Sequence, residues 1–483
     1  MCFILYKAPS LTITKKRKIN SNPNDESILN VCLERIHDLE VNEDYASIID
    51  EIFNLIQEGF STQKIGEILD KIIQVSEQLE YDKIEKLMHI IECIFDTNDE
   101  ECFEYISNDL LTFLFNMICG HNQYLICSGL KCLRMLIEPG KSKCAGSLNG
   151  KFILSKSMNL ISTYNDNENI ASLCLDLFCN LIINYDFSSE VYRNIENMVY
   201  QYIDSCNMVL CKQSTVRLIA LITHYSPNKI KFFENYENTK RLYNLLTINE
   251  NLATQVFSAI DSLAKVSETF AMKIIIDTDF LLFTPPNNWN ISSLSKFCRP
   301  LITLFSVVGK CNQLRKEGEI LDLCISKIIQ SLKDLIPLLL YFVEEMQFKV
   351  KKKSIIVICQ LILICNKEII FYIMTGHIEL IDFFIAMLEM KDSFLISIVL
   401  KALRTLIYLG DSIVEEMNYK NIFLEKALEN NIKKQILNIS ENYNNDENVT
   451  KQLNSLNEVI NMCLERAEID KMDEEEYELI LEI

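Results

Sequence analysis

Residue types that could do chemistry are scattered through this chain rather than gathered. The five histidines, His37, His89, His121, His224 and His377, have no local carboxylate or cysteine partner at the spacing that acid–base or nucleophilic catalysis needs. No Gly-x-x-x-x-Gly-Lys loop, Gly-x-Ser-x-Gly elbow or His-Glu-x-x-His helix occurs. A phosphate cradle uses glycines to bring backbone amides against the anion, and 11 glycines in 483 residues supply little material for one. Neither catalysis nor a cofactor is expected. The 18 cysteines include no Cys-x-x-Cys pair. Close spacings such as Cys127 with Cys132 and Cys174 with Cys179 lack companion histidines, so no metal site is expected either. The cysteines fall on apolar helical faces, as reduced and packed thiols do.

The elements that carry these residues follow from composition. Average usage would give about 34 glycines and about 24 prolines in a chain of this length, against the 11 and 8 present. Hairpin-rich β folds need many such turn residues, so helices joined by polar loops remain. Apolar residues recur at helical spacing, as in Ile381, Phe384, Ile385 and Leu388, or Leu175, Phe178, Cys179 and Ile182, each set a stripe along one helix face. Residues 1–42 read as a loose arm with a short basic cluster at Lys15, Lys16, Arg17 and Lys18. Residues 43–463 read as helix after helix, and residues 464–483 as an acidic tail. The longest apolar run, Ser354 to Cys365, falls short of the roughly 20 residues that a bilayer span requires, and no membrane insertion is expected. With 47 Lys+Arg against 67 Asp+Glu, a net charge of −20 repels nucleic acid and favours cationic partners.

A period runs through the helical region. Similar apolar segments lie around Lys131, Asp176, Val216, Ser258, Ile356 and Lys401. Two residues beyond these anchors stand Leu133, Phe178, Leu218, Ile260, Ile358 and Leu403, and six beyond stand Ile137, Ile182, Ile222, Ala264, Ile362 and Ile407. This face must be the core stripe. The first four anchors are 45, 40 and 42 residues apart and the last two 45, the length of an armadillo or HEAT unit. The expected architecture is all-α: a right-handed superhelical solenoid of about nine to ten helical repeats whose inner helices line an extended surface. Thr284 to Pro300, with the chain's single tryptophan, Trp289, reads as a long loop.

The stretch Lys352 to Asp411 gives the pattern a family likeness. Ser354-Ile-Ile-Val-Ile-Cys-Gln-Leu is followed by Ile373-Met-Thr-Gly376-His, Met387-Leu-Glu-Met-Lys-Asp392 and Val399-Leu-Lys-Ala-Leu-Arg-Thr-Leu-Ile-Tyr-Leu-Gly410-Asp. This resembles the late armadillo repeats of importin α, the adaptor that carries nuclear localisation signals. The 53 residues between Thr303 and Ile356 stand where that family has two repeats, so one unit is shortened or lost.

The resemblance implies a groove in which inner-helix asparagines clamp the backbone of a basic peptide, tryptophans hold its lysine stems and acids meet its ammonium heads. By position the amides are Asn180 and Gln360, with Asp176 one turn before Asn180 and Asn184 one turn after. Ser258, Ser262 and Thr405 occupy further groove positions. The tryptophan positions hold Lys131, Asp176, Val216, Ser258 and Ile356. Lys131 and Lys401 would add positive charge to the groove. The family's N-terminal basic segment, which binds importin β and competes with cargo, finds its match in Lys15, Lys16, Arg17 and Lys18. The implied function is a divergent import adaptor in the cytoplasm and nucleus, binding basic segments of cargo and an importin β-type receptor. The alternative is an armadillo or HEAT scaffold whose groove docks a different protein partner.

Overall fold

The computed structural model describes residues 45–57, 73, 81–96, 107–138, 149–185, 187–204, 208–225, 236–314, 318–417 and 421–481. Among these residues there is no strand. The N-terminal arm and its cluster Lys15, Lys16, Arg17 and Lys18 lie outside them. Asparagine supplies the punctuation that glycine and proline do not. Asn122, Asn149, Asn167, Asn249, Asn290, Asn366 and Asn421 each stand just before a helix, where the side-chain oxygen accepts a bond from an amide two or three residues on. Such a cap stabilises a helix by about 1 kcal/mol and fixes where it begins.

The chain divides into two units, Met1–Phe187 and Ser188–Ile483. The first contains α1 (Tyr45–Gln57), α2 (Tyr81–Asp96), α3 (Asn108–Cys119), α4 (Gln123–Leu136), α5 (Gly150–Thr163) and α6 (Glu168–Asn184). In it α1, α2, α4 and α6 pack one on the next as a layer, with α3 against α4 and α5 against α6.

The second unit begins with α7 (Ser189–Asp204), α8 (Val209–Tyr225), α9 (Tyr236–Asn244), α10 (Glu250–Val266), α11 (Glu268–Asp277), α12 (Ile291–Gln313), α13 (Glu319–Glu345) and α14 (Phe348–Ile362). It continues with α15 (Lys367–Gly376), α16 (Leu380–Met387), α17 (Ser393–Met417), α18 (Ile422–Glu429), α19 (Ile432–Asn442) and α20 (Glu447–Leu481). One layer runs α8, α10, α12, α14, α17, α20, each helix packed on the next. Behind it α7, α9, α11, α13 and α15 make a second series, and α16 packs on α18. Repeats ending in α10, α12 and α14 pair two α-helices. The last two, α15–α16–α17 and α18–α19–α20, use three, with a 99° bend between α15 and α16.

The periodic stripe is the core. Leu133, Phe178, Leu218, Ile260, Ile358 and Leu403 are fully buried, and Ile137, Ile182, Ile222, Ala264, Ile362 and Ile407 nearly so. Each such aliphatic or aromatic side chain stabilises the stack by about 1.5–3 kcal/mol. Gly309 lets α12 and α14 approach closely: a Cβ there would stand 3.1 Å from the carbonyl oxygen of Leu363.

Two expectations need correction. Thr284–Pro300 is not all loop, because Asn290 caps α12 at Ile291 and Pro300 lies inside that helix. Trp289 is held by Phe257 and Phe283, at ring centroid separations of 6.1 and 5.9 Å, and the amide of Asn290 donates to Glu250 Oε1. The interval from Thr303 to Ile356 holds a single repeat, in line with the loss of one unit, for α12 packs directly on α14 while the 27-residue α13 fills the second series. Finally, Ser354–Cys365 is not the longest apolar run. Ile291–Gln313 and Ser393–Ile413 are each long and apolar enough by length and composition to cross a membrane. Both belong to layer helices with neighbours on either side, and most of each is buried. The acid-rich C-terminal segment is helical as well, for α20 continues unbroken to Leu481.

Candidate functional site

In the first unit, layer helices are joined by matched ion pairs. Asp50 on α1 accepts from Lys83 and Lys86 on α2, and these two ammonium groups hold its carboxyl below the usual range. Glu92 on α2 faces Lys131 on α4 at 3.7 Å. Arg134 on α4 donates to Asp176 on α6 at 3.2 Å. Positions 176, 180 and 184 fall one turn apart on α6, and the amides go to the same neighbour. Asn180 Nδ2 donates to the Arg134 carbonyl at 3.0 Å, and Asn184 Nδ2 to the carbonyls of Ile137 and Asn180 at 2.8 and 2.9 Å. The carbonyls at the end of α4 have no intrahelical partner of their own, so these two amides close that helix.

In the second unit the charges do not match. Helices α12 and α14 pack together and carry seven cations, Lys296, Arg299, Lys310, Lys349, Lys351, Lys352 and Lys353, with no carboxylate on either helix. Compensation comes from outside them. Asp392, just before α17, takes Lys352. Its carboxyl is raised by burial, but the bonds from Lys352 and from the amide of Leu395 outweigh that and set it low. Asp261 on α10 is shared: Lys265 reaches it at 2.7 Å, Thr303 Oγ1 donates to it, and Arg299 Nε stands at 4.0 Å. Lys353 Nζ donates to the Ser295 carbonyl at 2.7 Å. Burial, with Arg299 close by, pushes the Lys353 ammonium down to about 8. Burial also lowers Arg299. Lysines in the opening turns of α14 stand at the positive end of the helix dipole, where cations are disfavoured, and neither Gln347 nor a first-turn acid offsets them.

Residues assigned to the groove from the sequence therefore divide. Asp176, Asn180 and Asn184 come together on α6, engaged with α4. Asn180 is only 3% exposed, although its Oδ1 has no hydrogen-bond partner. Ser258 Oγ donates within α10 to the Thr254 carbonyl, Ser262 is half-buried beside it, and Gln360 is half-buried on α14. Thr405 is buried on α17, so its hydroxyl lines no surface. The resemblance implies that the Asp176 carboxylate is available to a peptide ammonium. Asp176 is instead paired with Arg134, and the helix of Gln360 is basic. Sequence reading missed Arg299 and Lys353. The run Lys349-Val-Lys-Lys-Lys353 was the available signal, and Arg299 had been set inside the supposed loop.

No group of three or more histidines, cysteines or carboxylates able to hold a metal ion occurs among the described residues. Burial pushes the Cys298 thiol up to about 11 and Cys324 up to about 12, which keeps them protonated and inert.

Stacked helix pairs and triplets in packed series define a class of fold: the armadillo-like helical-repeat solenoid. Among solved structures, an engineered protein matches with a TM-score of 0.60 at 11% identity, over 91% of this chain and 97% of its own. A designed armadillo repeat protein in complex with the peptide (KR)4 matches with a TM-score of 0.41 at 16% identity, over 55% of this chain and 99% of its own. Another designed armadillo repeat protein gives 0.38 at 14% identity, over 51% and 98%. At such identities the first match speaks for the fold. No family model matches the chain, and no curated protein does.

Proposed function

We propose that the chain is a non-enzymatic docking scaffold, whose layer helices hold an extended segment of another protein. The observation that carries this reading is the unbroken series α8, α10, α12, α14, α17, α20. Its charged residues Arg217, Arg299, Lys353, Lys401 and Arg404 are exposed or half-buried while its apolar stripe is closed. An extended peptide offers amides and charges, and such a surface offers the complementary groups without a reaction centre. Binding of the full chain to a peptide array of graded charge tests it. Retention of a subset of one charge class is expected, and no retained peptide at low salt overturns the reading.

A second reading is the import adaptor, which would carry basic nuclear localisation segments together with an importin β-type receptor between cytoplasm and nucleus. Asp176, Asn180 and Asn184 in register on α6, with an unpartnered oxygen on Asn180, favour it. It requires Asp176 to exchange Arg134 for a cargo lysine. A lysine-rich peptide that binds and is lost on Asp176→Ala would support this reading; a lysine-rich peptide that does not bind at low salt would remove it.

A further inference from the structure

We propose that α12 and α14 form the docking site for an acidic peptide segment of a partner protein, with Arg299 and Lys353 as the pair that grips its carboxylates. The proposal rests on the docking reading above and names the chemistry of the docked chain.

Charge sign is the first ground. A protein of net charge −20 gathers seven cations and no carboxylate on two adjacent helices. Such a concentration of one sign of charge favours a partner segment of the opposite sign.

Placement is the second. The Arg299 side chain is 32% exposed and Lys353 is half-buried, so an ion pair made here is less screened by solvent than one on an open surface. The groups that face Lys353 are Arg299 and Cys298 from α12, Asp261 from α10 and Lys349 from its own helix. Asp261 already serves Lys265, Thr303 and Arg299. Neither Lys349 nor Lys353 has a carboxylate within ion-pair distance among the described residues. Like charges one turn apart or on facing helices raise the energy of the unbound protein, and an incoming carboxylate relieves it. Lys353 spends one of its three donors on Ser295, and a guanidinium presents a fork that fits a carboxylate.

Extent is the third. Layer helices pack about 8–10 Å apart, a span suited to two or three acidic side chains of an extended chain. A nucleic acid would instead bring a continuous row of phosphates to a protein of net charge −20. Phe348, 51% exposed and next to Lys349, offers an apolar contact beside the charges.

Fluorescence anisotropy with the full chain tests the site. The probes are a labelled Glu/Asp-rich decapeptide, its Lys/Arg-rich and Gly/Ser-rich counterparts, and a single-stranded oligonucleotide of matching charge. The acidic peptide is expected to bind at low salt, to weaken at least ten-fold in Arg299→Ala/Lys353→Ala, and to weaken as pH rises through about 8. Lys353→Arg should keep the binding and remove that pH dependence, a readout that stands even if the double variant fails to fold. Equal binding of acidic and neutral peptides, or undiminished binding by a folded double variant, overturns the proposal. Preference for the basic peptide overturns it while leaving a docking scaffold. Preference for the oligonucleotide makes the occupant a nucleic acid and also overturns it. Binding that emerges only in Glu474→Gln/Glu475→Gln/Glu476→Gln would name the chain's own C-terminal segment as occupant, which excludes a partner in trans.

Discussion

Helix pairs α4–α6 and α12–α14 solve the same backbone problem, but the first leaves its charges balanced and the second leaves cations in excess. In both, amides from one helix close the last carbonyls of its neighbour. Asn180 and Asn184 reach Arg134 and Ile137 in the first pair; Asn312 and Gln313 reach Ile364 and Leu363, at 2.7 and 3.2 Å, in the second. Around the first pair every cross-helix cation named has its carboxylate: Lys83 and Lys86 with Asp50, Lys131 with Glu92, Arg134 with Asp176. Around the second, Asp261 and Asp392 serve cations of two helices that carry no acid of their own. Groups that the fold consumes are the wrong place to look for a ligand; those it leaves in surplus are the right one. In a helical repeat, an amide in the family's peptide-clamping position is therefore not enough to assign a groove.

Breaking the second pair sterically should have the largest effect. In Gly309→Leu the new side chain meets the backbone at Leu363, which cannot yield as a side chain end can. A loss of about 1–3 kcal/mol is expected from overpacking, read by chemical denaturation, together with weaker acidic-peptide binding. An unchanged unfolding midpoint would mean that α12 and α14 have room to spare.

In the first pair, Asn180→Ala leaves the Arg134 carbonyl without its donor. Removing one partner of a buried bond costs about 1–3 kcal/mol, and the substitution should lower the thermal midpoint without changing peptide affinity. The reverse result, a stable variant that no longer binds peptide, would return Asn180 to the groove.

Titration separates the two regions by the pH window in which each acts. Lysine in the unfolded chain titrates near about 10.4, whereas Lys353 is pushed down to about 8. Between those values the unfolded state binds more protons, so stability should rise with pH across that window. The rise should vanish in Lys353→Met. Asp50 gives a rise of the same sign in the acid range. Lys83 and Lys86 lower its folded value, so its contribution is present above the ordinary carboxylate range and is lost as pH falls through the depressed one. Thermal melts at pH 8 and 10, and at pH 5 and 3, on wild type, Lys353→Met and Asp50→Asn would register both; an alkaline rise that persists in Lys353→Met would assign it elsewhere.

Much of the fold was legible because burial is periodic. The residues two and six beyond each repeat anchor are all core residues, since a solenoid buries the same helix face in every unit. Two local features hid the rest. Asn290 and Trp289 look like loop residues, yet one is a helix cap and the other packs against Phe257 and Phe283, so α12 and its cations were misplaced. The site was legible only where charge runs along one helix, as in Lys349 to Lys353. Which carboxylates stand opposite is a matter of packing between residues about 40 apart, such as Lys352 with Asp392, and spacing within a helix carries no trace of it.

Hydrogen–deuterium exchange of the full chain, with and without the acidic decapeptide, tests most directly whether the surplus on α12 and α14 is the functional one. The account predicts slowed exchange in residues 291–300 and 348–356, with residues 168–184 unchanged. Protection confined to 168–184, with α12 and α14 unaffected, would contradict it.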